Sequence, residues 1–255
     1  MNKLSSLVIL LSLMACGTQD NDGVAVAREG SPANEVVEYV WHNKGPNFSE
    51  ENLNMLVKKW NSLIDAGNYE INGANILTPR GESQADFIWV MLWPSMDARD
   101  AAWDDWMKNV DSEWQEMIKG IMTVDFDNVY AFKPIVKRTA SVPNQSSTFE
   151  NEFNFCNYNE GYGESDLEKF EMDFTNFLDE TEVKDGPDGF WYVMLEPYFD
   201  GSEENPLVDY VWLSLWTDMA EKNNGYGNYG ATNLPAESDR LSSCQRFSFS
   251  GRAIR

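Results

Sequence analysis

The sequence is poor in the residues that most often carry chemistry. Among 255 residues there is one histidine, His42, and there are three cysteines, Cys16, Cys156 and Cys244. Structural and catalytic zinc sites draw several ligands from those two types at close spacing; no such spacing occurs here, so no metal is expected. No Gly-rich loop opens a helix to cradle phosphate, and no nucleophile elbow is present. The Gly225–Gly230 stretch instead alternates its glycines with Tyr and Asn. Positive charge is also scarce: 19 Lys and Arg stand against 42 Asp and Glu, a net charge of −23. Such a field repels phosphate backbones and anionic lipid surfaces, which argues against nucleic acid or a bilayer surface as partner. Asp97, Asp100, Asp104 and Asp105 read as a solvated helix face rather than a cation site. What is abundant is aromatic: ten Trp, ten Tyr and fourteen Phe, within a hydrophobic content of 42%. That composition excludes a disordered chain and leaves rings over for a binding cavity.

The N-terminus has a short positive start at Lys3, then ten apolar residues from Leu4 to Leu13. A spanning helix needs about 20, so this run reads as a signal peptide. It ends in Leu13-Met14-Ala15-Cys16, which resembles the lipobox of bacterial lipoproteins. The resemblance implies cleavage before Cys16, acylation (palmitate among the chains) of that residue, and a stable anchor. It places the protein in the cell envelope, at the outer membrane facing the periplasm if the source is Gram-negative, since Gly17 follows the Cys. The segments expected are a signal peptide at 1–15, a flexible tether at 16–34, a first unit at 35–137, a linker at 138–147 and a second unit at 148–255.

The two units rest on an internal repeat. Asp86–Met96 reads DFIWVMLWPSM and Asp209–Met219 reads DYVWLSLWTDM; five of the eleven positions are identical, both Trp pairs among them. Upstream, Leu53, Leu56, Trp60, Leu63 and Ile64 share their spacing with Leu167, Phe170, Phe174, Phe177 and Leu178. That spacing marks one face of a helix. Ser49 and Ser165 stand where N-caps belong, the second with Glu168 three residues on, and Gly67 is a stop for the first helix. Before each helix lies a strand, with Glu38, Trp41, His42 and Asn43 matched by Glu152, Phe155, Cys156 and Asn157. Extended runs at 73–78 and 190–196 follow the helices, and short aromatic strands at 129–132 and 244–250 end the units. Trp103 and Trp106 match Tyr226 and Tyr229. Three glycines interrupt the last helix, which is expected to be short or unravelled.

The order βαββαβ, written twice, gives an α+β fold in which two ferredoxin-like units face each other with helices outside. The sequence here resembles the dimeric α+β barrel superfamily. DFIWVMLWPSMDARDAAWDDW, followed by Asp111-Ser112-Glu113-Trp114-Gln115, looks most like its NIPSNAP and EthD-type members. The resemblance implies that a duplication lets one chain close the barrel, as a monomer with pseudo-twofold symmetry. In such a fold the last strand of a unit pairs with its first, which brings Cys156 near Cys244. A disulfide and free thiols both remain open, with an oxidising compartment favouring the first.

Alternation divides each strand into two faces. The aliphatic set Ile88, Val90 and Leu92 is expected under the helices. Phe87, Trp89, Met91 and Trp93, with Tyr210, Trp212 and Trp216, are expected to line a space between the sheets. Glu38, His42, Glu152 and Asn154 join them, and the interior reads equally as a ligand pocket or a packed core. The main functional expectation is a membrane-tethered lipoprotein binding a small hydrophobic or aromatic molecule there, with no cofactor. The alternative, implied by the superfamily, is a cofactor-independent monooxygenase or a haem-degrading type of oxidoreductase, with His42, Asn43 and Trp89 as catalytic candidates.

Overall fold

Local chemistry sets the element boundaries. The computed structural model describes residues 34–203 and 206–255, so the signal-like segment and Cys16 lie outside the described residues. Helix α1 (Glu50–Gly67) starts where the Ser49 hydroxyl accepts the Asn52 N–H at 3.1 Å. It stops at Gly67, and the left-handed turn that follows is taken by Asn68 at φ 50°. Its apolar stripe Leu53, Leu56, Trp60 and Ile64 is buried, as the spacing predicts. Helix α4 (Glu164–Asp185) departs from expectation at its start. Its cap is Gly163, whose N–H donates to the Asp166 carboxylate at 3.0 Å, in place of a Ser165/Glu168 box. Helix α5 (Met219–Gly230) forms despite its glycines. The Asp218 carboxylate caps it by accepting the Glu221 N–H at 2.8 Å, and such a cap offsets the ~1 kcal/mol that a helical glycine costs. The remaining helices are α2 (Met96–Asn109), α3 (Asp111–Ile118) and α6 (Leu234–Leu241).

Eight strands close a barrel. They are β1 (Val36–Lys44), β2 (Gly73–Pro79), β3 (Phe87–Trp93), β4 (Met122–Arg138), β5 (Thr148–Tyr158), β6 (Trp191–Pro197), β7 (Tyr210–Trp216) and β8 (Ser242–Ala253). Their order around the barrel is β1-β3-β2-β8-β5-β7-β6-β4, and every pairing is antiparallel. Within the first half the order is β4-β1-β3-β2, within the second β8-β5-β7-β6, and the halves join through β2–β8 and β4–β6. Strand β4 is far longer than the run at 129–132 because one stretch pairs with β1 and the next with β6.

The lumen is a core. Val37, Tyr39, Leu77, Ile88, Val90 and Phe132 of the first half pack there against Phe153, Val193, Leu195, Val211, Leu213 and Phe249 of the second. An eight-stranded barrel has an interior just wide enough for side chains to fill. The face assignment read from the sequence is therefore reversed. Phe87, Trp89, Met91 and Trp93 lie under the helices, packed with Leu56, Trp60, Trp106, Trp114 and Ile118. Trp212 and Trp216 lie with Leu167, Phe170, Phe174 and Leu241 in a second outer cluster. Alternation sorted the side chains into the correct two sets; size decided which set went inward. Most indoles cover a sheet beneath a helix, whereas aliphatic and single-ring side chains from eight strands, with Trp41 and Trp191 packed against them, fill the lumen.

The outer faces carry the buried charges. Glu38 is 0% exposed, and its Oε1 accepts the Arg99 Nε–H at 2.7 Å and a further Arg99 N–H. Its Oε2 accepts the indole N–H groups of Trp93 at 3.1 Å and Trp103 at 2.9 Å. The second half repeats the arrangement: Glu152 meets Lys222 Nζ at 3.0 Å, the Ser248 hydroxyl at 2.7 Å and the Tyr226 hydroxyl. Lys222 stands to Trp212 and Trp216 as Arg99 stands to Trp89 and Trp93. A buried carboxylate needs partners on the element it faces, and both partners are helix-borne. Removing one partner strands the other, so Arg99→Ala is expected to cost about 3–5 kcal/mol in urea unfolding. The double change Glu38→Gln with Arg99→Met is expected to cost less than Arg99→Ala alone. Equal stability of Arg99→Ala and wild type would contradict the reading.

Candidate functional site

Each half holds a cavity between the outer face of its sheet and its helices, and the two differ in size. In the first half the cavity is about 60 Å³ and is walled by His42, Trp60, Trp89, Met91, Trp93, Trp103, Trp106 and Trp114, with Tyr69 and Asp111. In the second it is about 230 Å³. Corresponding residues account for the difference. Trp60, Trp103 and Trp106 give way to Phe174, Tyr226 and Tyr229, and Ala102 gives way to Gly225. A Cβ at Gly225 would stand 3.5 Å from the Trp216 Nε1, in ordinary van der Waals contact, so the glycine leaves out a methyl that the first half carries at Ala102. In the first half the Trp114 ring of α3 also comes within 6.5 Å of Trp89, whereas α6 places Ser238 at the second cavity.

The large cavity is walled by rings, with polar groups among its lining. Trp212 lies in its wall, stacked on Tyr192 at 4.3 Å and 3°, and Phe174 meets Trp212 edge-on at 5.4 Å. Phe170, Phe177 and Phe190, with Trp216, Tyr210, Tyr226 and Tyr229, complete the apolar wall. Along β5 and β8 the wall presents Asn154 and Arg246, joined by a 3.1 Å hydrogen bond from Arg246 Nε to Asn154 Oδ1. At the α4–β6 end it presents Asp188 and Glu221. Burial, with the Glu221 charge adding to it against the Phe190 N–H, pushes the Asp188 carboxyl above the usual range. Glu152 sits behind the wall; desolvation would raise its carboxyl, but bonds from Tyr226, Ser248 and Lys222 hold it below the usual range. The Tyr226 phenol is correspondingly pushed up, by burial first and the Glu152 charge second.

The residues singled out in the sequence are thus divided between two places. His42, Trp89, Met91 and Trp93 share the small cavity, while Asn154, Tyr210, Trp212 and Trp216 share the large one. Asn43 follows His42 on the strand and so points to the opposite face, which separates it from His42 and Trp89. Glu38 and Glu152 hold helices rather than line a slot. Cys156 and Cys244 form a disulfide that lies in the wall of the large cavity. Among the described residues no cluster of three or more His, Cys, Asp and Glu could hold a metal ion. Arg246, Asp188, Phe174 and Tyr226 were not assigned from the sequence. Carrying the register of the Trp strand on into α5 identifies Tyr226 and Lys222, but no local pattern marks Arg246 or Asp188.

His42 is a core residue. It is 4% exposed, its Nδ1 lies 2.9 Å from the Val40 carbonyl, and its ring stacks on Phe87 at 5.1 Å. Burial lowers its pKa from 6.5 to about 4, against the Val40 bond and the Asp125 charge. The unfolded chain therefore binds a proton that the folded one refuses between about pH 6.5 and 4. Stability from this site is present above that window and is lost as pH falls through it, by about 3 kcal/mol. His42→Phe is expected to flatten the acid limb of unfolding free energy against pH by that amount. An unchanged limb would contradict a neutral, buried His42.

No family model matches the sequence, and no curated protein does. Solved structures do share the fold. A dye-decolorizing peroxidase from Bacteroides thetaiotaomicron aligns at a TM-score of 0.53 and 8% identity, covering 91% of this chain and 96% of its own. A provisionally named monooxygenase from Fusobacterium nucleatum aligns at 0.51 and 8%, covering 86% and 93%. A provisionally named chlorite dismutase aligns at 0.50 and 10%, covering 86% and 94%. The expectation of a passive binder with its ligand between the sheets is thereby corrected: that space is filled, and the proteins of like fold carry the names of oxidoreductases. The chain has the dimeric α+β barrel fold, closed here within one polypeptide.

Proposed function

We propose that the protein is a cofactor-independent oxidoreductase of the monooxygenase type. Its substrate is a planar hydroxyarene, held in the large cavity between the β5–β7 face and helices α4 and α5. The observation that carries this is the 230 Å³ cavity itself, walled by aromatic rings and lined also by the hydrogen-bonded pair Arg246–Asn154 and by Asp188. The names of the solved structures with the same fold support an oxidoreductase over a passive carrier.

Haem does not fit the residues present. Iron in haem is held by imidazole, thiolate, thioether or phenolate. The one imidazole, His42, is packed between Phe87 and Trp89 beside a 60 Å³ space. In the large cavity both sulfurs are tied in the disulfide, and the phenols of Tyr210, Tyr226 and Tyr229 are all pushed upward by burial. No step is therefore routed through haem.

The chain's own groups supply a different route. A guanidinium and an amide beside the substrate oxygen stabilise its anion, and the Asp188 carboxylate, which burial makes a stronger base than usual, takes the ring C–H proton as the hydroperoxide loses water. The electron-rich anion passes one electron to dioxygen, and recombination forms a C–O bond. The hydroperoxide then loses water, so that a phenol and dioxygen give a quinone and water.

Four further readings belong to this proposal. The like strand order and the matched pairs Glu38–Arg99 and Glu152–Lys222 support a tandem duplication of one ferredoxin-like unit. The DFIWVMLWPSM segment supports kinship with NIPSNAP and EthD-type proteins. Closure of the barrel within one chain supports a monomer. Leu13-Met14-Ala15-Cys16, together with an intrachain disulfide, supports export and a lipid anchor at Cys16, in the outer membrane facing the periplasm if the cell is Gram-negative.

The test is aerobic turnover of 1,5-dihydroxynaphthalene, followed by oxygen uptake and quinone absorbance together. Equimolar uptake and quinone above the autoxidation blank are expected. Arg246→Met and Asp188→Asn are each expected to lower kcat on the order of a hundredfold. Uptake at the blank rate across a panel of hydroxyarenes, or activity that requires added haemin, would overturn the proposal.

A further inference from the structure

The Cys156–Cys244 disulfide sits in a setting that a purely structural crosslink does not need. The two residues face each other directly across β5 and β8, strands already joined by a continuous ladder of hydrogen bonds. Both line the large cavity. Cys156 is 1% exposed, whereas Cys244 is exposed. On the same sheet face the neighbouring rungs are Tyr158–Ser242 on one side and Asn154–Arg246 on the other. The Ser242 hydroxyl lies 3.5 Å from the Cys244 sulfur and 2.6 Å from the Tyr210 hydroxyl, itself a cavity residue. The pair thus joins an exposed residue, next to a hydroxyl and one rung from a guanidinium, to a buried one. Hydrogen-bond donors and Arg beside a partly exposed Cys are the surroundings that stabilise a thiolate.

We propose that this disulfide is a thiol–disulfide exchange site, and that the large cavity admits the small thiol that reacts with it. The incoming thiolate bonds to the Cys244 sulfur, the S–S bond breaks, and the Cys156 sulfur leaves with the electron pair and takes a proton in its buried position. A second thiolate then attacks the outer sulfur of the mixed disulfide. The Cys244 sulfur leaves beside Ser242 and Arg246, which hold its charge until it is protonated. Two thiols have become one disulfide, and the protein has gained two thiols; electrons and protons balance, and the run in reverse reoxidises the site. This activity shares the large cavity and Arg246 with the oxygenase reading but does not depend on it, because its electrons come from the thiol and not from a hydroxyarene, and it uses no dioxygen.

The experiment is titration of the full-length chain, in its native state, with reduced glutathione. Aliquots are quenched with iodoacetamide and analysed by intact mass and peptide mapping. The expected sequence is a glutathione adduct on Cys244 with alkylation on Cys156, followed by alkylation of both. The rate should be at least tenfold above that of global unfolding measured by urea pulse. Ser242→Ala is expected to slow the second step several-fold and leave the first unchanged. Reduction that keeps pace with global unfolding would overturn the proposal, as would an adduct found on Cys156 instead. A Ser242→Ala variant that is slowed equally in both steps would overturn the role given to the hydroxyl and its place in the exchange. Loss of hydroxyarene oxidation alone, with exchange intact, would sink only the oxygenase reading.

Discussion

Eight antiparallel strands that close on themselves leave a lumen that side chains can fill, and this geometric limit governs the rest of the molecule. Side chains from both halves meet there, from Val37 and Tyr39 to Phe153 and Phe249, and fill it. No ligand-sized space remains between the sheets. Everything too broad for the lumen must therefore lie on the outside of the barrel, where only helices can cover it. The ten Trp of the chain mostly follow that rule, and so do the two buried carboxylates that hold the covering helices down.

The two halves differ in how well they fill the outer layer. The first half uses indoles at Trp60, Trp103, Trp106 and Trp114, and packs its helices almost without a gap. The second uses smaller rings at Phe174, Tyr226 and Tyr229 and a glycine at 225, and a slot opens over Trp212. Truncation of rings in a layer that would otherwise be core costs stability, since each buried ring group removed forfeits contact as well as apolar burial. The second half keeps such a gap, with Arg246, Asp188 and Glu221 among its lining.

Much of the fold was legible in the sequence and the site only in part, for a physical reason. Period-two alternation separates Trp89 from Val90, and helical spacing groups Leu53 with Trp60, because both reflect local geometry. Which set turns inward depends on the width of a barrel that exists only after eight distant strands have paired. The clue was a charge: Glu38 and Glu152 share a face with the Trp set, and their partners Arg99 and Lys222 stand at matching places in the second helix of each half. A buried carboxylate must face its cation, so that face had to be the helix side. Arg246 and Asp188 were beyond reach, since each gains meaning only from the cavity it borders. The glycines of α5 misled for a similar reason: propensity counts them as breaks, while the Asp218 cap and the rings of Tyr226 and Tyr229 hold the helix in place.

The central claim is that the space in this molecule lies under the helices of the second half and not within the barrel. Apolar cavities of sufficient size take up xenon, which reports their position without chemistry. A crystal of the protein pressurised with xenon should show density between Trp212, Phe174 and Tyr226, and none in the lumen bounded by Tyr39, Phe132 and Phe153. Xenon density in that lumen, with the outer slot vacant, would contradict the account.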